Sequence, residues 1–130
     1  MGQVKAKYWD TFNKLFETDD FEGCLKLLKA EWENLPNPKE AQSESYLIAY
    51  FLTDTSLLAE DFSEARHWVS VLQTCDLSRI DDGDREFMAG KVAYEDGDHK
   101  KAKELFEIAN MKSGGYCFED ENPKYQKLLK

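Results

Sequence analysis

The feature that most constrains this chain is an acidic turn that recurs three times. Asp19-Asp20-Phe21-Glu22-Gly23-Cys24, Glu60-Asp61-Phe62-Ser63-Glu64-Ala65 and Gly97-Asp98-His99-Lys100-Lys101-Ala102 each set an aromatic or His behind the acid and a small residue three positions on. Phe62 follows Phe21 by 41 residues, and His99 follows Phe62 by 37. A period in that range marks supersecondary units that cannot bury an apolar face alone and stack on one another to do so.

Apolar spacing makes each unit a helical hairpin. Tyr8, Phe12, Leu15 and Phe16 form one helical stripe and Leu25, Leu28 and Trp32 its partner, with Asp19 and Asp20 between them as breaker and cap. Leu35-Pro36-Asn37-Pro38 stops the second helix, so the first hairpin covers about residues 4–36. The second, residues 40–75, carries Tyr46, Leu47, Tyr50, Phe51, Leu57 and Leu58 on one helix and Phe62, Ala65, Trp68, Val69 and Leu72 on the other. The third, residues 82–113, opens after Ile80-Asp81-Asp82-Gly83-Asp84, where a helix N-terminus favours negative charge. It pairs Phe87, Met88, Val92, Ala93 and Tyr94 with Ala102, Leu105, Phe106 and Ala109, and Lys112-Ser113-Gly114-Gly115 ends it. Beyond it, Asn122-Pro123 reads as cap and first turn of a short helix, residues 122–129, whose Tyr125, Leu128 and Leu129 can cover the open end of a stack. A detachable helix that binds a partner is the other reading of that segment.

Charge narrows the choice of partner. The net charge is −9, and a field of that sign repels phosphate backbones and anionic lipid while speeding association with a basic protein. The cluster Lys100-Lys101-Lys103 is answered by Glu104 and Glu107 one turn on, as surface pairs. Met1-Gly2-Gln3-Val4-Lys5 lacks the apolar run of a signal peptide. With three unpaired cysteines, Cys24, Cys75 and Cys117, these features lead us to expect a soluble, cytoplasmic protein.

The third unit, Gly90-Lys-Val-Ala-Tyr94-Glu-Asp-Gly97-Asp98-His-Lys-Lys-Ala102-Lys-Glu-Leu-Phe106-Glu-Ile-Ala109, resembles a tetratricopeptide repeat. The shared features are the glycine on the first helix, the Gly-Asp turn, and the Ala, aromatic and Ala of the second. The other copies are looser. Thr53 and Glu60 replace the two glycines in the second, and Phe12, Asp19 and Cys24 stand at the matching places in the first, where Pro36 falls at the usual repeat end. The resemblance implies an all-α fold, a right-handed superhelix of three stacked hairpins with a C-terminal capping helix. It also implies a concave surface lined by the first helix of each pair, presenting Trp9, Asn13, Glu17, Tyr50, Asp54, Phe87, Lys91, Tyr94 and Glu95. For Trp9 and Phe87, packing between repeats is the competing role.

Catalysis and cofactor binding have little in their favour. His67 and His99 stand in no nucleophile-base-acid order, there is no phosphate-cradling glycine loop, and metal-ligand spacings are lacking. A calcium loop centred on Gly83 would put ligands at Ser78, Ile80 and Asp82 and its closing glutamate at Ala89, which cannot coordinate the ion. The tail Lys112-Ser-Gly-Gly-Tyr-Cys-Phe-Glu-Asp-Glu-Asn-Pro-Lys-Tyr125, after Cys75-Asp-Leu-Ser-Arg-Ile-Asp-Asp-Gly83, resembles that of small bacterial repeat proteins of the toxin-immunity kind. That resemblance implies a protein that covers a basic toxin, such as a nuclease, by charge complementarity. An adaptor or secretion chaperone holding a client peptide in the groove is the alternative.

Overall fold

The computed structural model describes residues 2–79 and 81–130, with side chains from Tyr8 onward. Ile80, counted above at the opening of the third unit and in the calcium register, lies outside the described residues. The described residues are helical with no strand: α1 (Gly2–Glu17), α2 (Phe21–Glu33), α3 (Ser45–Leu58), α4 (Phe62–Leu72), α5 (Asp84–Glu95), α6 (His99–Ser113) and a short α7 (Pro123–Lys127). Two 3-10 turns, Lys39–Ala41 and Tyr116–Phe118, sit in the connections. The helix of the second unit starts later than the sequence suggested. The Pro38–Gln42 stretch forms a 3-10 turn closed by Ala41 N–H on Pro38 O at 3.1 Å, and the Ser45 hydroxyl donates to Glu40 O at 3.0 Å.

The repeated acidic turn has one geometry in all three copies. Asp19 (φ 59°), Glu60 (φ 58°) and Gly97 (φ 90°) adopt the left-handed conformation that ends a helix. The amide one residue on, at Asp20, Asp61 and Asp98, then donates at 2.9 Å to Leu15, Ser56 and Ala93 O. Each of those aspartates also caps the following helix, its carboxylate accepting from the N–H of Gly23 (2.9 Å), Glu64 (3.2 Å) or Lys101 (3.1 Å). One residue therefore closes one helix and opens the next, and such a cap contributes about 1 kcal/mol.

Small residues set how closely paired helices approach. Cys24, Ala65 and Ala102 are fully buried at matching places in the second helices. In the third pair Gly90 meets the Phe106 ring: a Cβ on Gly90 would lie 2.6 Å from Phe106 Cε1. The corresponding Thr53 is buried and turns its hydroxyl back onto Ala49 O at 2.8 Å. Two apolar clusters result. One joins α1 to α4 and takes in Met88 of α5; the other joins α5, α6 and the tail through Phe87, Phe106, Phe118 and Tyr125. Burying one such side chain contributes roughly 1.5–3 kcal/mol. The units meet as α2 on α3, α4 on α5 and α3 on α5, and the chain after α6 lies against α6 and α5.

Candidate interaction surface

On α1, α3 and α5 the repeat spacing lines up nine places in three columns. The innermost is Trp9, Tyr50 and Phe87; the next is Asn13, Asp54 and Lys91; the outermost is Glu17, Leu58 and Glu95. The inner column is largely spent on packing. Trp9 is half-buried, its ring edge-on to Phe12 (5.4 Å) and Phe51 (5.3 Å). Phe87 is buried against Phe106, Phe118 and Tyr125, so packing is its role. Tyr50 is half-buried beside Phe51 and Tyr46. Burial, with Asp54 and Asp84 next in weight, raises its phenol well above the ordinary range and keeps it a neutral donor.

The second column holds the charge centre. Lys91 is buried (4% exposed), yet its ammonium reaches Asp54 Oδ1 and Glu121 Oε1, both at 3.3 Å, and stands 5.2 Å from the Phe87 ring centre. Asn13 is exposed. Nearby, Asp84 sits 3.5 Å from the Tyr46 hydroxyl, and burial together with Asp82 raises its carboxyl pKa. Arg79 and Arg85 flank the Tyr46 ring at 4.0 and 4.8 Å.

The third column divides between open and occupied places. Glu17 is exposed and so is Leu58, at 46%. Glu95 is taken by the tail: Lys124 Nζ approaches it at 2.8 Å and the Tyr125 hydroxyl donates to it at 3.0 Å. Tyr94 stacks on His99 (4.4 Å) and meets Tyr125 edge-on (5.3 Å), with the Lys124 ammonium 5.2 Å from its ring centre. The tail thus covers Phe87, Lys91, Tyr94 and Glu95, and Asn13, Glu17 and Leu58 are left facing solvent.

Sequence reasoning did not single out Leu58, Asp84, Glu121 or Lys124 for this surface. Leu58 was within reach, because it falls 41 residues after Glu17 and 37 before Glu95. Glu121 and Lys124 were not, since only the folding of the tail brings them to α5.

Burial raises the thiol pKa of Cys24, Cys75 and Cys117, which holds them as thiols rather than nucleophilic thiolates. Among the described residues no group of His, Cys, Asp and Glu is arranged to hold a metal ion, and no helix is long and apolar enough to cross a membrane. Comparisons with protein families, with curated proteins and with solved structures find no match for this chain.

Proposed function

We propose that the chain is a protein-binding module in which three tetratricopeptide-like hairpins stack as a right-handed superhelix and a basic protein docks on the first-helix face. The observation that carries this reading is the column Glu17, Leu58 and Glu95. Its leucine is exposed in register with the exposed Glu17, and Asn13 is exposed beside them, while Glu95 at the α5 end is engaged by Lys124 and Tyr125 of the tail. An apolar anchor beside an open carboxylate suits a partner surface that sets an apolar residue next to a lysine or arginine. Residues 99–130 carry seven basic and five acidic groups, so the acidic excess lies in the first two units and α5. That distribution favours docking toward the α1 and α3 end.

The partner we infer is a folded basic domain, and the role that of an immunity-type protein that neutralises a toxin in the cytoplasm. The seated tail supports a folded partner over an extended client. It fills the α5 part of the face, leaving a peptide only the α1 and α3 part of the groove. Capture from cells that express the protein natively, with graded salt washes and mass spectrometry, tests this. One basic protein retained through the washes is the expected result. Several clients lost together at moderate salt would replace it with the adaptor or secretion-chaperone role.

A further inference from the structure

The α5 part of the first-helix face is filled by the chain itself, with chemistry like that inferred for the partner. Lys124 sets its ammonium 2.8 Å from Glu95 and 5.2 Å from the Tyr94 ring centre. Tyr125 beside it lies edge-on to Tyr94 and donates its hydroxyl to Glu95 at 3.0 Å. Leu128 and Leu129 pack half-buried against the same apolar cluster. One short segment thus brings a cation, an aromatic ring and two leucines to an acidic, aromatic seat.

Side chains, not backbone, hold the segment there. Gly115 N–H donates to Asn110 O at 3.1 Å and Cys117 N–H to Ser113 Oγ at 3.2 Å, which ties the start of the tail to α6. Beyond them, among the described residues, the backbone N–H groups of Phe118, Glu119, Glu121, Tyr125, Leu128, Leu129 and Lys130 bond within residues 115–130. The five residues of α7 are too few to stand as a helix without packing. Where the tail leaves α6, Gly114 (φ 64°) and Gly115 (φ 88°) are both left-handed. A Cβ on the first would meet nothing within 4 Å, and on the second only Asn110 Oδ1 at 3.6 Å, so this joint is free of close packing. Phe118 and Tyr125, buried against Phe87 and Phe106, keep the seat closed when nothing else fills it.

We infer that the tail is a latch on the docking face: it swings about Gly114 and Gly115, and a segment of the basic partner, a lysine or arginine beside an aromatic, takes its place on Glu95 and Tyr94. The inference rests on the first-helix face being the docking face, and adds its α5 part, closed in the free protein, to the open α1 and α3 part. A partner that binds only the open state draws the latch open by mass action, so the seat selects for the chemistry that the tail itself carries.

Amide hydrogen exchange of the full chain, resolved by segment, tests the latch without a partner. Residues 116–130 are expected to exchange together and faster than α5 and α6. Lys124, whose side chain is 39% exposed, can be changed without risk to the core. Lys124→Glu sets a carboxylate against Glu95 and is expected to speed tail exchange about tenfold, with α1 to α4 unchanged. A synthetic peptide of residues 119–130, followed by fluorescence anisotropy, is expected to bind the Lys124→Glu chain more tightly than wild type by the same factor. That peptide carrying Lys124→Glu and Tyr125→Ala is expected not to bind. Tail exchange no faster than that of α5 and α6, no difference in peptide affinity between the two chains, or binding of the doubly changed peptide overturns the latch. So does tail exchange that slows as protein concentration rises, which would assign the tail to the seat of a second copy. None of these results bears on docking at Glu17 and Leu58, which native capture with those two residues changed to lysine decides separately.

Discussion

The Lys91 ammonium lies 3.3 Å from the Asp54 carboxylate, joining corresponding places of two successive units, and an equal distance on its other side stands Glu121 of the tail. A single buried cation therefore holds α3, α5 and the tail in one arrangement. Removing it leaves two carboxylates facing each other with no counter-charge. Both acids keep partial contact with water, 28% exposed each, so the loss is set below that for a fully buried pair. Lys91→Ala should cost about 2 kcal/mol in urea unfolding. Adding Asp54→Asn to it should recover part of that loss.

Close packing in the third pair predicts a steric penalty. Gly90→Ala forces a methyl into the Phe106 ring, and Ala102→Leu inserts bulk at a fully buried helix contact. Each should lose about 1–3 kcal/mol. An unchanged thermal midpoint in either variant would remove the close-contact account.

The three turns differ in how well their residue suits the left-handed position. Glu60 holds φ 58° with a Cβ, whereas Gly97 holds φ 90° without one. Gly97→Ala should destabilise by about 1 kcal/mol. A Cβ there would meet nothing within 4 Å, so the penalty is one of backbone conformation alone. Glu60→Gly should stabilise by about 0.5 kcal/mol, the relief of strain being partly offset by a freer unfolded chain. Denaturant midpoints measured side by side check both signs.

Asp84 gives a pH signature. Burial and Asp82 raise its carboxyl pKa above the ordinary carboxylate range. The folded state therefore binds its proton more tightly than the unfolded state. Its ionisation works against folding, and stability falls as pH rises from the unfolded pKa through the folded one. Asp84→Asn should then stabilise at neutral pH, and the gain should vanish below the unfolded pKa, where the wild-type carboxyl is protonated in both states. A gain independent of pH would show that packing, not charge, is responsible.

Turns and helix pairs were legible from the sequence because they are local. An aspartate before an aromatic both stops one helix and caps the next, whatever surrounds it, so Asp20, Asp61 and Asp98 mark the hairpins unaided. The late start of α3 was less legible, since the 3-10 turn at Lys39–Ala41 depends on Ser45 reaching back to Glu40. The surface was legible as a set of helix faces but not in its occupancy. Phe87 and Lys91 have the register of groove residues, and only the folded tail, with Phe118, Glu121 and Tyr125, removes them from solvent. Leu58 shows the converse, an apolar residue at the end of a mostly apolar helix that stays 46% exposed.

The most direct test of the central claim compares wild type with Leu58→Lys and Glu17→Lys in the same native capture. Both residues are exposed and lie outside the two apolar clusters, so circular dichroism should show an unchanged fold. The account predicts a basic protein bound to wild type and lost from both variants. Equal recovery of that protein by all three would contradict docking on the first-helix face.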